Sequence, residues 1–582
     1  MGRPAMCVWV AVMLFIAGAA GVCSTPGFVI NQVGGSSQVL IKVAKASEHR
    51  LEIDDAPEFR TPVWTKNFRG NTLEFDAYAA GLVPGILYYV RLHGAEVKSF
   101  RLESGEQSHS AIECSTLRNS WETSGRRMLE LRSAVKWNGD QQRWEVSSMT
   151  RPEGQGIYYT ELFVRSALES AQSCGDLRLY DEIAQYYLLM LQQTVELGAP
   201  APWSASGRVR SFPAGAGQRG DQELGNVQWL YPAAKLVRLI SLLPTAQRSA
   251  TMQQFAAQYT SFIVDEQLLR FLLQPMRPAP GGGPDVSRIE AWNRTLRGLK
   301  GRRTWETAMT DKDLWLLASS AEMLGANAND PALASLTEVQ RTQLHTALEA
   351  GIRLFRSKQT SYPDTRDLKG NSVGSASYFN GDYDDIPEYA GSGVSGPTLP
   401  AAQPKREHNL SWDTAHSYRI PVFLRALYES KKATKLDFPR LEELKLTANQ
   451  YVYRVFNGDF SRPLFRNYLD GHDTWYRVGF SGPGSGYPPS EVCDMRSANR
   501  WCMAPGNIAG WGLLAFINPD LAMVERSLLR LAMDTSAESE EFRNRHYSYF
   551  LEPFQLLHSE GKVSYGATLF FIAADNAAMR AN

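Results

Sequence analysis

The sequence predicts two folds in one chain: an N-terminal β-sandwich followed by an all-α (α/α)6 toroid of paired helices. Three observations carry this. Up to residue 104, short runs rich in Val, Ile, Tyr and Phe recur about every ten residues, separated by turn residues. From about residue 155 the apolar positions switch to three- and four-residue spacing and keep it. The connections between the helical stretches then alternate between short and long.

The chain has 582 residues, 61 Lys+Arg against 61 Asp+Glu, 43% hydrophobic and 21% charged residues. That length exceeds one ordinary core, so at least two domains are expected. Balanced charge argues against a nucleic-acid binder, whose footprint is a basic surface. An aromatic content of 11% excludes long disorder.

Residues 1–22 read as a secretory signal, with Arg3, the apolar stretch Val8 to Ile16, and the small residues Ala17-Gly18-Ala19 for cleavage. A membrane anchor is the alternative, but Cys7 to Val22 is short for a bilayer and no later run is longer, so no stable membrane span is expected. The expected location is secreted or periplasmic, which permits disulfides. Cys493 and Cys502 would staple a long loop, and Cys114 and Cys174 would tie a linker to a first helix. Spacing does not fix connectivity, and free buried thiols are the other reading.

Residues 25–104 form the expected β module, with strands at Val29 to Val33, Val39 to Val43, Leu51 to Asp54, Leu73 to Phe75, Leu87 to Leu92 and Ser99 to Leu102. Residues 105–150 read as a linker with a hairpin turning at Asn138-Gly139 between Trp137 and Trp144. Residues 151–582 form the toroid, with helices over 157–172, 178–197, 226–244, 247–274, 311–325, 333–356, 412–431, 439–456, 505–517, 519–533, 546–558 and 562–578. The long connections are 198–225, 275–310, 357–411, 457–504 and 534–545; loops of that size are usually functional. A stack of helical repeats is the competing architecture, but no motif recurs at a fixed period.

Tryptophan placement points to one rim. Trp203, Trp292, Trp305, Trp475 and Trp501 fall in long loops, and Trp229, Trp315, Trp412 and Trp511 lie early in the helices that follow. Such rings suit a cleft that stacks sugar faces, and equally suit plain anchoring of large loops.

Three segments carry chemistry. In Tyr378 to Tyr389, Asp382, Asp384, Asp385 and Glu388 crowd together, and crowded carboxylates push their pKa values apart. Asp384, Asp385 and Glu388 are therefore candidate acids or bases. The same oxygens are hard ligands of the kind calcium takes, although the spacing fits no EF-hand loop; beyond a possible structural calcium no cofactor is expected. In His408 to Pro421, Ser411 or Asp413 caps a helix, and Asp413, His416 and Arg419 lie three residues apart on one face. His416 beside an acid and a guanidinium is a candidate proton carrier, or a packed histidine with Asp413 as its cap. Pro421 either kinks this helix or marks its first turn. From Arg466 to Cys502, Asp473, Trp475, Tyr476, Arg477, Asp494, Arg496 and Trp501 mix carboxylates, guanidinium groups and rings. Arg groups there either grip an acidic sugar or order the loop through ion pairs. The candidate binding residues are Trp229, Trp305, Trp412, Arg419, Trp475, Asp494, Arg496 and Trp501.

This layout resembles carbohydrate-active enzymes, and Phe28-Val29-Ile30-Asn31-Gln32-Val33-Gly34 resembles the opening of the immunoglobulin-like module of family-nine glycoside hydrolases. That family's Asp-Ala-Gly-Asp motif is absent, so no catalytic role carries across. Toroidal polysaccharide lyases use His, Tyr, Arg and Asn, residue types present as His416, Tyr418, Arg419 and Asn409. The expected function is an enzyme cleaving a polysaccharide or oligosaccharide: by hydrolysis with a 384–388 carboxyl as acid and Asp413, Asp473 or Asp494 as its partner, or by elimination with His416 or a Tyr as base beside a uronate carboxylate that Arg419 or Arg496 neutralises. A non-catalytic glycan-binding protein is the third expectation.

Overall fold

The computed structural model describes residues 28–32, 38–54, 64–76, 87–92, 97–101, 114–133, 135–147, 160–197, 209–212, 223–302, 306–366, 370, 372–380, 391–399, 410–479, 484–496, 502, 510–534 and 536–547. The predicted signal, the carboxylate-rich segment 381–390 and the predicted helix 562–578 lie outside them. The chain divides into two compact units, Met1–His109 and Ser110–Asn582.

In the first unit, β1 (Phe28–Gln32), β2 (Gln38–Asp54), β3 (Trp64–Asp76), β4 (Leu87–Leu92) and β5 (Val97–Arg101) form one antiparallel sheet. The runs predicted at Val39 to Val43 and Leu51 to Asp54 are a single 17-residue strand. The polar stretch between them reads as a turn in the sequence, but in the structure it is a bulge, where the pairing with β3 shifts between Lys42 and Ser47. β1 pairs with the first half of β2 and β4 with the second, while β3 runs along both. Val39, Ile41, Leu51 and Ile53 are buried at alternate positions, and Val90 and Leu92 lie opposite Ile53 and Leu51 on that face. On the other face Glu52 accepts from Arg91 at 2.9 Å.

The second unit begins earlier than the periodicity predicts. α1 (Cys114–Ser120) passes through a π-turn, Trp121–Gly125, into α2 (Arg126–Ser133), and β6 (Val135–Asn138) pairs with β7 (Arg143–Val146) with Trp137 opposite Trp144. The expected linker is thus folded onto the helices over 114–146. Trp121 Nε1 donates to Glu182 at 2.7 Å, and Arg126 grips the same carboxylate with two nitrogens. Gly125 leaves the room: a Cβ there would sit 2.3 Å from the Trp121 ring.

Helical pairs follow: α3 (Thr160–Cys174) with α4 (Leu177–Gln192), α5 (Glu223–Leu242) with α6 (Ala250–Ser261), and α9 (Asp311–Asn329) with α10 (Glu338–Ser357). A π-turn, Phe262–Leu268, joins α6 to α7 (Leu269–Leu273), and α8 (Arg288–Leu296) precedes α9. α11 (Thr414–Ser417), α12 (Arg419–Glu429) and α13 (Lys431–Thr434) lead to α14 (Leu441–Gln450). After a 3-10 turn, Trp511–Leu514, come α15 (Pro519–Met533) and α16 (Ala537–His546). The short links are set by side-chain caps: Asp176 accepts from Leu179 N, Ser249 from Met252 N and Thr337 from Gln340 N.

The long connections are not structureless. β8 (Val195–Glu196) pairs with β9 (Arg210–Ser211), residues 275–310 contain α8, whose Ser287 cap accepts from Glu290 N, and 357–411 contain a hairpin of β10 (Gln359–Arg366) and β11 (Ser372–Phe379). The predicted loop 534–545 is largely α16, a helix without an apolar stripe and hence invisible to periodicity.

α3, α5, α9 and α12 are buried along most of their length. Their N-terminal ends meet: Gln228 reaches Tyr418, Trp315 and Arg419 at 3.0–3.3 Å, Tyr418 Oη lies 3.5 Å from Glu161, and Arg419 lies 3.7 Å from Asp311. Their C-terminal halves meet too, with Lys235 on Glu169, and Arg238 on Glu322 and Glu429. The four helices therefore run side by side in one direction, pinned by polar groups at two levels.

Candidate active site

The site is built on the break between α11 and α12. Asp413 caps α11, accepting from His416 N at 3.0 Å, and the helix restarts at Arg419 with Pro421 in its first turn, where a missing N–H costs nothing. Residues 412–414 lie alongside 467–469, with Thr414 N donating to Asn467 O at 2.9 Å and Leu469 N to Trp412 O at 3.0 Å. That pairing carries the loop 466–479 onto the helix break.

His416 is the centre. Its Nδ1 lies 2.9 and 3.0 Å from the two Asp413 oxygens and 3.1 Å from Tyr476 Oη. A carboxylate accepts, so these contacts fit the tautomer with the proton on Nδ1, which makes Nε2 the acceptor nitrogen of the ring. The ring lies parallel to Trp412, with centroids 6.4 Å apart. Arg477 Nε donates to Tyr476 Oη at 3.2 Å, and Arg477 Nη1 to Tyr487 Oη at 3.4 Å. Burial alone lowers the Arg477 pKa, but the Tyr476 and Tyr487 hydroxyls outweigh it and hold the guanidinium charged. Tyr476 and Tyr487 form an antiparallel bridge with stacked rings. Asp413, His416 and Tyr476 are buried, and Arg477 and Tyr487 are half-buried. Below it, Arg419 Nη1 donates to His416 O and Nη2 to Gln228.

Comparison of the chain with protein families, with curated proteins and with solved structures finds no match. The geometry therefore has to carry the functional reading.

Asp413, His416, Trp412 and Arg419 come together. Asp384, Asp385, Glu388, Trp305 and Trp501 lie outside the described residues, as do Asp382 and the calcium expectation attached to it. Among the described residues, no group of three or more His, Cys, Asp or Glu is arranged to hold a metal ion.

Trp229 is not on a sugar platform. It packs among Tyr187, Phe212, Tyr259 and Phe262 at 1% exposure, because its side of α5 faces the outer helices. Trp475 is buried, and its Nε1 donates to Gly396 O at 2.9 Å, so it anchors a loop. Arg419 is 1% exposed and engaged with Gln228 and His416, which makes it a support rather than a substrate clamp. Asp494 and Arg496 pair with each other at the surface, Arg496 also reaching Glu541, and Arg496 holds the Asp494 carboxyl down at about 2. Both disulfides form, Cys493–Cys502 and Cys114–Cys174.

Gln228 and Glu161 are passed over by residue patterns, whereas Tyr476 and Arg477 fall in the segment from Arg466 to Cys502 without being singled out there as candidate residues. Glu161 and Gln228 are each one of several buried polar residues on their helices, alongside Arg165 and Glu169 on α3 and Lys235 and Arg238 on α5, so the sequence does not single them out. Arg477, with φ of 54°, stands in the left-handed region, which sequence does not announce at an Arg.

Proposed function

We propose that this chain is an exported carbohydrate-active enzyme that cleaves an acidic polysaccharide by β-elimination, with its helical unit completing an (α/α)6 toroid and its β unit a sandwich. The parallel set α3, α5, α9 and α12, each followed by a more exposed helix, supports the toroid. The two disulfides support export.

The observation that carries the reading is the Asp413–His416–Tyr476–Arg477 arrangement. Arg477 neutralises a uronate carboxylate, which acidifies the neighbouring carbon-bound proton. His416 Nε2 takes that proton, Asp413 holds the ring in the required tautomer, and Tyr476 steadies both ring and guanidinium. The electron pair left on carbon forms a double bond as the glycosidic C–O bond breaks, and the leaving oxygen takes up a proton. Supplied with a polyuronate, the enzyme yields an unsaturated, ultraviolet-absorbing sugar end. His416→Ala lowers that rate by about 10²–10⁴-fold, the usual worth of a positioned base. New reducing ends without the ultraviolet signal overturn elimination.

Hydrolysis has one observation behind it: burial raises the Asp473 carboxyl, the direction a general acid requires, against the lowering pull of Ser490 and Asn467. In that reading Asp473→Asn, rather than His416→Ala, removes the activity. If glycan binding persists with no cleavage by the unaltered protein, the chain is a binding protein.

A further inference from the structure

The turn after α8 gathers charge that the rest of the molecule balances. Across the whole chain 61 cations meet 61 carboxylates. Here Arg294, Arg297, Lys300 and Arg302 fall within nine residues that contain no carboxylate, and the neighbouring acids are Asp285, Glu290, Glu306 at the Arg302 backbone and Glu349 one helical turn before Arg353. The contacts that hold them together are explicit: Arg353 Nη2 donates to Asn293 Oδ1 at 3.3 Å, and Gly281 N to Lys300 O at 2.9 Å.

Glu290 is shared by Arg294 and Arg297, so one cation remains in excess there. Among the described residues, the side chains of Lys300, Arg302 and Arg353 have no carboxylate within ion-pair distance, and all three are exposed. The α8 C-terminal dipole accounts for Arg294 and Arg297 near the last turn, but not for the three beyond it. Half-buried Gly282 and exposed Gly283 follow Gly281, whose N–H donates to Lys300 O, and a Cβ at either would meet nothing within 4 Å. Backbone here stands open to an extended ligand. At its other end α8 is fastened beside the site: Arg288 pairs with Asp313, two residues from the Asp311 that faces Arg419.

We infer that this basic turn is a secondary binding surface for a polyanionic glycan chain, holding the polymer outside the catalytic cluster. The inference rests on the acidic-glycan reading above. Net neutrality of the chain and its paired cysteines favour a glycan over a nucleic acid.

The test is affinity electrophoresis in gels containing polygalacturonate, run on the unaltered protein and on His416→Ala, which leaves the polymer intact. Expected is retardation of both, weakened roughly tenfold or more when R297E, K300E and R302E are combined, and relieved by salt. Unchanged thermal unfolding shows that the triple variant is folded. No retardation of the unaltered protein, equal retardation of the triple variant, or tighter binding to duplex DNA at the same salt overturns the inference. If retardation behaves as expected but no unsaturated product forms, the surface stands and the elimination chemistry falls.

Discussion

At the scale of single residues, one carboxylate has two tasks that can be separated. Asp413 caps α11 through the His416 amide and orients the His416 ring through Nδ1. Asn keeps a capping oxygen but offers no charge to an imidazolium and can present an N–H to Nδ1, which reverses the tautomer. Asp413→Asn is therefore expected to unfold within a few degrees of the unaltered protein while losing turnover; Asp413→Ala loses turnover and about 1 kcal/mol of stability as well. Thermal unfolding beside a rate assay checks both, and equal stability of the two variants would remove the cap from the account. A second residue sets a pH limit. Burial, reinforced by the charge of Arg545, lowers His546 from 6.5 to about 4. Between those values the unfolded chain binds more protons than the folded one, so stability falls as pH drops through that window, by up to about 1.4 kcal/mol per pH unit. His546→Gln should flatten this part of a denaturation-versus-pH curve; a curve unchanged by the substitution rules His546 out.

Elements show what the sequence makes legible. Helices such as α4, α10 and α15 bury one stripe and are found by apolar spacing, while their caps Asp176, Thr337 and Asn518 emerge in the structure. α5 is buried nearly all round and contains Pro232, yet apolar spacing still finds it. α16, polar on every side, is not found, and neither is the hairpin β10–β11, whose pairing depends on register rather than on a simple alternation. The site is half legible for the same reason. Asp413, His416 and Arg419 share a helical face and announce one another, whereas Tyr476 and Arg477 arrive from some 60 residues away through backbone pairing of 412–414 with 467–469. A glycine decides one further placement. A Cβ on Gly510 would lie 2.3 Å from the Tyr418 carbonyl oxygen and 3.1 Å from Val422. That oxygen is backbone at the start of α12 and cannot swing away. Gly510→Ala should cost about 1–3 kcal/mol and slow turnover by shifting α12, and with it the Arg419 that supports His416. Gly139→Ala, in a turn where a Cβ meets nothing, is the control and should leave both measurements unchanged.

For the helical unit as a whole, two covalent ties act at different scales. Cys114–Cys174 closes 60 residues and fastens the folded segment before the helices to the end of α3. Cys493–Cys502 closes nine and lies on the segment from which Tyr487 and Ser490 reach Tyr476, Arg477 and Asp473. Loop-closure entropy assigns about 4 kcal/mol to the first and about 2.6 kcal/mol to the second. Their effects on chemistry should run in the opposite order. The first tie is separated from His416 by the buried Glu161–Arg165 pair and the body of α3, and its loss leaves the cluster's own hydrogen bonds in place. The second lies on the segment whose Tyr487 bridges and stacks on Tyr476, the residue that meets His416 Nδ1. Replacing Cys114 and Cys174 together by Ser should lower the unfolding temperature more, while replacing Cys493 and Cys502 should lower turnover more at temperatures where both proteins stay folded. A paired measurement of Tm and rate on the two double variants decides this. If both quantities fall in the same order, the short loop acts only as a staple, and the Tyr476–Arg477 placement is held by its hydrogen bonds alone.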